Sequence, residues 1–240
     1  MSLSLEECLE AGAREMGMDL DGKKITSFRR YYEILMEEND KYNLTSIEGE
    51  YEVAVKHFLD CLYCAKFLDL RGKYVIDLGA GAGFPGVPLK IYSPDMDLLM
   101  VDSVKKKVGF LLLLAEKLGL ESVSARWDRA EKMGRNSEFR EKASAVLSRA
   151  VAPLNVLSEL CLPLVKAGGL FISMKGPGAE KELESARRAV DILGGAVEKV
   201  EKFELPLSGD ERTIVIIKKI KPTPAGYPRR EGVPAKKPIE

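Results

Sequence analysis

The chain has 240 residues, 45% hydrophobic and 31% charged, with 37 lysines and arginines against 37 aspartates and glutamates. That length accommodates one globular domain with a small extension, or at most two small domains, and a core that needs no staples. Zero net charge excludes a global attraction to nucleic acid, no apolar run reaches the ~20 residues of a membrane span, and the start, MSLSLEECLEAGAREMGMDL, lacks the basic and apolar regions of a secretion signal, so a cytoplasmic protein is expected.

In chain order, residues 3–17 and 25–39 show helical apolar periodicity and are separated by Asp21-Gly22. Residues 41–50 (KYNLTSIEGE) read as a loop and 51–70 as a third helix. Tyr74–Leu78 is a short apolar run ending in a glycine cluster, and 97–101 is another, ending at Asp102. A helix is expected over 103–118, stopped by Gly119. Strands follow at 123–126 and 143–147, then a helix from Pro153, a strand at 170–174 and a helix at 179–193. Strand alternating with helix implies a parallel sheet covered on both faces. Residues 197–205 and 213–220 are strand-like, and the short connection between them cannot carry a parallel crossover, so they form an antiparallel hairpin. Five prolines in 222–240 predict an extended tail, rich in lysine and arginine. The chain thus divides into a helical extension (1–50), a main domain (51–221) and a basic, proline-rich tail (222–240).

Cys61 and Cys64 form a CxxC, but no second ligand pair accompanies them and His57 is the single histidine. Small buried cysteines on one helix face are the better reading, and no metal is expected.

The informative motif is Asp77-Leu78-Gly79-Ala80-Gly81-Ala82-Gly83-Phe84-Pro85-Gly86, between a strand and a helix. Glycines there let backbone approach a ligand closely. Gly81-x-Gly83-x-x-Gly86 also satisfies a dinucleotide fingerprint. Against that, Asp77-x-Gly79-x-Gly81-x-Gly83 resembles methyltransferase motif I, and Pro85 removes an amide that a pyrophosphate would use. The terminal hairpin agrees with a class I methyltransferase sheet, whereas a dinucleotide fold continues with parallel strands. The fold class is therefore α/β: a Rossmann-like class I methyltransferase, doubly wound, mainly parallel, with an antiparallel terminal hairpin strand and an N-terminal helical extension. Asp102, at a strand end, suits the two hydroxyls of a ribose, or it caps a helix. Ser103 and Val104 would flank the adenosine. Ala130 and Glu131 follow the third strand, where an adenine contact is usual, though Glu131 equally suits a surface acid.

With these residues in place, the chain resembles the glucose-inhibited division protein B family, bacterial enzymes that methylate a guanine N7 of 16S ribosomal RNA. The resemblance runs through Asn43-Leu44-Thr45, His57-Phe58-Leu59-Asp60, Gly79–Pro88, Asp102-Ser103 and the lysines after it. It continues in Ser148-Arg149-Ala150, Met174-Lys175-Gly176, Glu211-Arg212 and Tyr227-Pro228-Arg229. Cys61 departs from the family, which more often has serine there. The resemblance implies S-adenosyl-L-methionine as cofactor, with contacts at Gly79, Phe84, Asp102, Ser103, Val104, Ala130, Glu131 and Arg149. It also implies 16S rRNA, or the small subunit or its precursor particle, as partner, and a monomer is expected.

Guanine N7 has a free lone pair and no proton, so its methylation needs alignment rather than a general base or a covalent cysteine. Candidates near the chemistry are Arg149, Lys175 and Asn43. Each has a plainer reading: an ion pair, an exposed lysine, a turn cap. His57 reads more readily as a satisfied helix histidine than as a catalyst. RNA contacts are expected from Lys105, Lys106, Lys107, Lys175, Arg212, Arg229 and Arg230, with Lys236 and Lys237 as further cations. Competing readings are a methyltransferase for another acceptor, a non-catalytic S-adenosylmethionine-binding regulator and, least favoured, a dinucleotide-dependent oxidoreductase.

Overall fold

The computed structural model describes residues 3–149 and 151–240; Ala150 of the Ser148-Arg149-Ala150 motif lies outside them. α1 (Leu5–Glu15) starts at a capping box in which the Ser4 hydroxyl accepts from Glu7 N and the Glu7 carboxylate accepts from Ser4 N. α2 (Gly22–Tyr42) starts at Asp21, whose carboxylate accepts from Lys24 N, and ends at Asn43 in the left-handed conformation (φ 51°).

The segment expected as one helix over 51–70 is broken. It comprises α3 (Glu50–Val53), a π-helical turn (Ala54–Leu59), α4 (Asp60–Leu62) and a 3₁₀ turn (Tyr63–Phe67). Apolar periodicity registers burial but not the extra residue of a π turn, a feature frequent at functional sites. Here that turn contains His57.

The sheet has seven strands: β1 (Tyr74–Leu78), β2 (Asp97–Asp102), β3 (Val123–Trp127), β4 (Ala143–Arg149), β5 (Val165–Lys175), β6 (Gly195–Glu204) and β7 (Glu211–Lys219). Their order is β3-β2-β1-β4-β5-β7-β6. β1 to β5 pair in parallel, and β7 runs antiparallel between β5 and β6, as the hairpin required. The order in which strands are added reverses between β1 and β4, where such folds open a ligand crevice at the strands' C-terminal ends.

Alternation along β1 sends Val75 to one face, and Ile76 and Leu78 to the other. The first face is covered by α1, α2, the broken arm, α5 (Gly86–Tyr92) and α6 (Lys105–Lys117). Leu5, Phe28 and Ile34 of the helical extension share one apolar cluster with Val75 and Ile172. The second face is covered by α7 (Ala130–Met133), α8 (Leu154–Cys161) and α9 (Ala179–Ile192).

The tail is tied down rather than free. Arg140 donates to the carbonyls of Gly134, Thr223 and Tyr227, and Arg135 to that of Pro228. The fully buried Lys219 meets Thr223, Glu141 and the Leu162 carbonyl. A short helix, α10 (Val233–Lys236), interrupts the extended course expected from the prolines.

Candidate active site

The glycine loop leaves β1 with Gly79, Gly81 and Gly83 at φ 77°, 57° and 97°, values that an L side chain resists. Beneath it, Asp77 is fully buried and accepts Gly86 N at 2.8 Å. Its second oxygen has no partner among the described residues, and burial pushes its pKa up to about 7. A Cβ on Gly83 would lie 2.8 Å from the Tyr31 hydroxyl, whereas one on Gly81 would meet nothing nearer than the Gly79 oxygen at 3.9 Å. Gly83 is therefore glycine for packing, and Gly81 for the open space in front of it.

That space is a cavity of about 380 Å³ lined by Leu44, Thr45, His57, the loop, Asp102 to Val104, Lys107, Arg149 and Val151. Its size and its mixed walls suit a small ligand. Asp102, at the tip of β2, accepts Gly81 N at 3.0 Å and Val104 N at 2.8 Å, so its carboxylate is oriented by the loop it faces. Gly79, Gly81, Phe84, Asp102, Ser103, Val104 and Arg149 thus meet as the sequence suggested. Asp77 lies under the loop, and Gly83, within it, packs against Tyr31 rather than lining the cavity. Ala130 and Glu131 do not line the cavity: Ala130 is buried, and the Glu131 carboxylate accepts Gly232 N at 2.9 Å, turned toward the tail.

A second cavity, of about 270 Å³, opens between the broken arm and β5–β7. Its walls include Lys56, Asp60, Met174, Gly176, Arg212 and Thr213, and it shares His57 and Arg149 with the first. Arg149 sits 4.7 Å above the Phe84 ring and reaches Asp60 at 3.3 Å and the Lys56 carbonyl at 3.3 Å. Arg212 approaches the other Asp60 oxygen at 3.7 Å. Burial raises the Asp60 pKa against the pull of Arg149 and Arg212.

His57 Nε2 lies 2.9 Å from the Thr45 hydroxyl, and Nδ1 lies 3.3 Å from the Arg149 guanidinium and 3.1 Å from the Lys56 carbonyl. The two contacts at Nδ1 ask for opposite tautomers, since the Arg149 guanidinium only donates and the Lys56 carbonyl only accepts, while the Thr45 hydroxyl can serve Nε2 in either role. Burial and the Arg149 charge push the His57 pKa down to about 3, which leaves a neutral ring.

Several expected RNA contacts are otherwise engaged. The Lys175 side chain is only 8% exposed; it lines the second cavity and bridges the Ala152 carbonyl (2.6 Å) to Glu182 (2.8 Å), holding the start of α8. Arg229 forms a two-pronged pair with Glu159, which is 1% exposed. Asn43 is exposed and serves as the C-cap of α2; its neighbour Asn39 organises the loop by accepting from Leu44 N and Thr45 N. Lys105, Lys106 and Arg230 are exposed, and Lys107 lies on the first cavity's wall. Sequence reasoning gave no role to Tyr31 or Thr45. Tyr31 carries only the signal of an apolar helix position, and Asp60 stands three residues from His57, on the same side of the arm.

A family model described as rRNA small subunit methyltransferase G (GidB) matches residues 24–215. A Pelotomaculum thermopropionicum protein named ribosomal RNA small subunit methyltransferase G is 49% identical over 98% of this chain and 99% of its own length. A Bacillus subtilis protein of the same name is 45% identical over 99% of this chain and all of its own. Among solved structures, a putative transferase from Pyrococcus horikoshii matches with a TM-score of 0.54 and 18% identity, over 68% of this chain and 62% of that one. A TYW2 from M. jannaschii in complex with AdoMet matches with a TM-score of 0.53 and 15% identity, over 67% of this chain and 75% of that one. The structural likenesses establish the α/β class I fold.

Proposed function

The chain belongs to the rRNA small subunit methyltransferase G (GidB) family, and from that premise we propose how its site serves the reaction. The protein is an S-adenosylmethionine-dependent rRNA methyltransferase; the family's acceptor is N7 of a guanine in 16S rRNA. The observation that carries the reading is that two cavities share one wall, His57 and Arg149. Transfer between two ligands needs two compartments that meet at one point.

The glycine loop with Asp102, Ser103 and Val104 fits the cofactor, because Gly81 leaves space open and the Asp102 carboxylate faces it. When bound, S-adenosylmethionine supplies a methyl group on a positively charged sulfur. The second cavity receives the guanine, with Lys56 and Arg212 orienting it. N7 carries no proton, so no base is required, and neutral His57 adds no charge beside the cofactor. Methylation leaves the base cationic. Asp60, between Arg149 and Arg212, is the carboxylate that offsets this charge.

We further infer that the enzyme acts as a cytoplasmic monomer on the small subunit or its precursor particle. Among the described residues no helix is long and apolar enough to cross a membrane. With Lys175 and Arg229 engaged internally, Lys105, Lys106, Lys107, Arg212 and Arg230 are the cations left to meet RNA phosphate.

Incubation with methyl-labelled S-adenosylmethionine and small subunits lacking the modification tests this reading. Label is expected at one guanine N7; transfer to protein or to another base would refute the acceptor assignment.

A further inference from the structure

Trp127, the only tryptophan, is 58% exposed at the end of edge strand β3, in register with Asp102 of β2. Leaving this much indole in water forgoes burial that a core position would supply. The ring is nevertheless held: Nε1–H donates to the Ser103 carbonyl at 3.0 Å, and the Lys105 ammonium lies 5.5 Å from its centroid. Trp127 is not part of the cofactor cavity wall, although its anchor Ser103 and the adjacent Val104 are. Val104 itself is 39% exposed. Lys105 and Lys106 are exposed beside it, and Lys107 faces the cavity.

An anchored aromatic face, flanked by a run of lysines and set on the rim of the cleft, combines the two features of a single-stranded nucleic-acid platform: stacking area and phosphate attraction. We propose that Trp127 stacks on an unpaired nucleotide of the RNA substrate flanking the target guanine, with Lys105 and Lys106 meeting adjacent phosphates. Protein–protein interfaces are depleted in lysine, so three in a row beside one aromatic favour a nucleic acid. The proposal rests on the rRNA reading above for its substrate, and its stacking partner is a nucleobase whichever base is methylated.

The test uses the full chain with two readouts. First, the half-saturating concentration of unmodified small subunits is compared for wild type, Trp127→Ala and Trp127→Phe. The alanine variant is expected to need about tenfold more subunit, and the phenylalanine variant to recover most of the loss, with cofactor affinity unchanged. Second, Trp127 fluorescence is titrated with a short single-stranded oligoribonucleotide. Quenching is expected, weakening steeply with salt, and Lys105→Ala with Lys106→Ala should flatten that dependence. Unchanged subunit saturation in Trp127→Ala, loss of cofactor affinity instead, or no quenching by RNA would each overturn the proposal. If wild type transfers no methyl to subunits but RNA still quenches Trp127, the acceptor reading fails and the platform stands.

Discussion

The hydroxyl of Tyr31, on α2, donates to the carbonyl of Ala82 in the glycine loop at 2.6 Å, and both residues are buried. The Tyr31 ring also stacks on Phe84 at 5.4 Å, and Phe84 packs against His57 at 4.5 Å. The helical extension thereby fixes the backbone that faces the first cavity.

Tyr31→Phe keeps the ring and removes the bond, leaving the Ala82 carbonyl without its donor. A net loss of about 1 kcal/mol is expected. It should appear as a roughly fivefold weaker cofactor Kd, with kcat at saturation little changed, measured by titration calorimetry and steady-state transfer. Equal cofactor affinity in the two proteins would remove Tyr31 from this role.

Arg229→Ala strips the partner from Glu159, a carboxylate 1% exposed. An unpaired buried charge costs about 3 kcal/mol. The melting temperature should drop by several degrees, and replacing both residues with leucine should restore much of it. A variant that melts like wild type but binds subunits poorly would return Arg229 to the RNA contacts.

Lys175→Met should act in the same manner, by loosening the start of α8. Glu182 accepts Leu154 N at 3.0 Å as well as pairing with Lys175. The salt dependence of subunit binding should be that of wild type. A flatter dependence would show that Lys175 meets phosphate.

Two buried groups give opposite pH signatures. His57 titrates near 3 when folded and near 6.5 when unfolded, so between these values the unfolded chain binds the extra proton and stability rises with pH. Asp77 titrates near 7 when folded and near 3.8 when unfolded, so over that range the folded chain holds the extra proton and stability falls as pH rises. Each is therefore read as a difference from wild type. Asp77→Asn should gain stability relative to wild type from pH 4 to 7, while His57→Gln should gain as pH falls from 6.5 toward 4. Chemical denaturation at stepped pH checks both signs; parallel curves would contradict the burial argument.

The sheet was legible because each strand and helix carries its own periodicity, and the hairpin followed from the length of one connection. The glycine loop beside the first cavity was legible because glycine at alternate positions has few other uses. The pairings of Lys175, Arg229 and Glu131 were not, since a charge reads the same in sequence whether solvent or a partner elsewhere in the chain engages it. The break at Ala54–Leu59 was hidden for a related reason: π and α turns bury the same residue types. The second cavity is built from six separate stretches of chain, each too short to announce it.

The two-compartment account is tested most directly by methyl transfer to small subunits with cofactor and subunit concentrations varied independently. Asp102→Asn should raise the half-saturating concentration of S-adenosylmethionine by ten to a hundredfold and leave that of the subunit alone. Arg212→Ala should do the reverse. If both variants shift the same axis, or each shifts both equally, the assignment of one cavity to the cofactor and the other to the guanine is wrong.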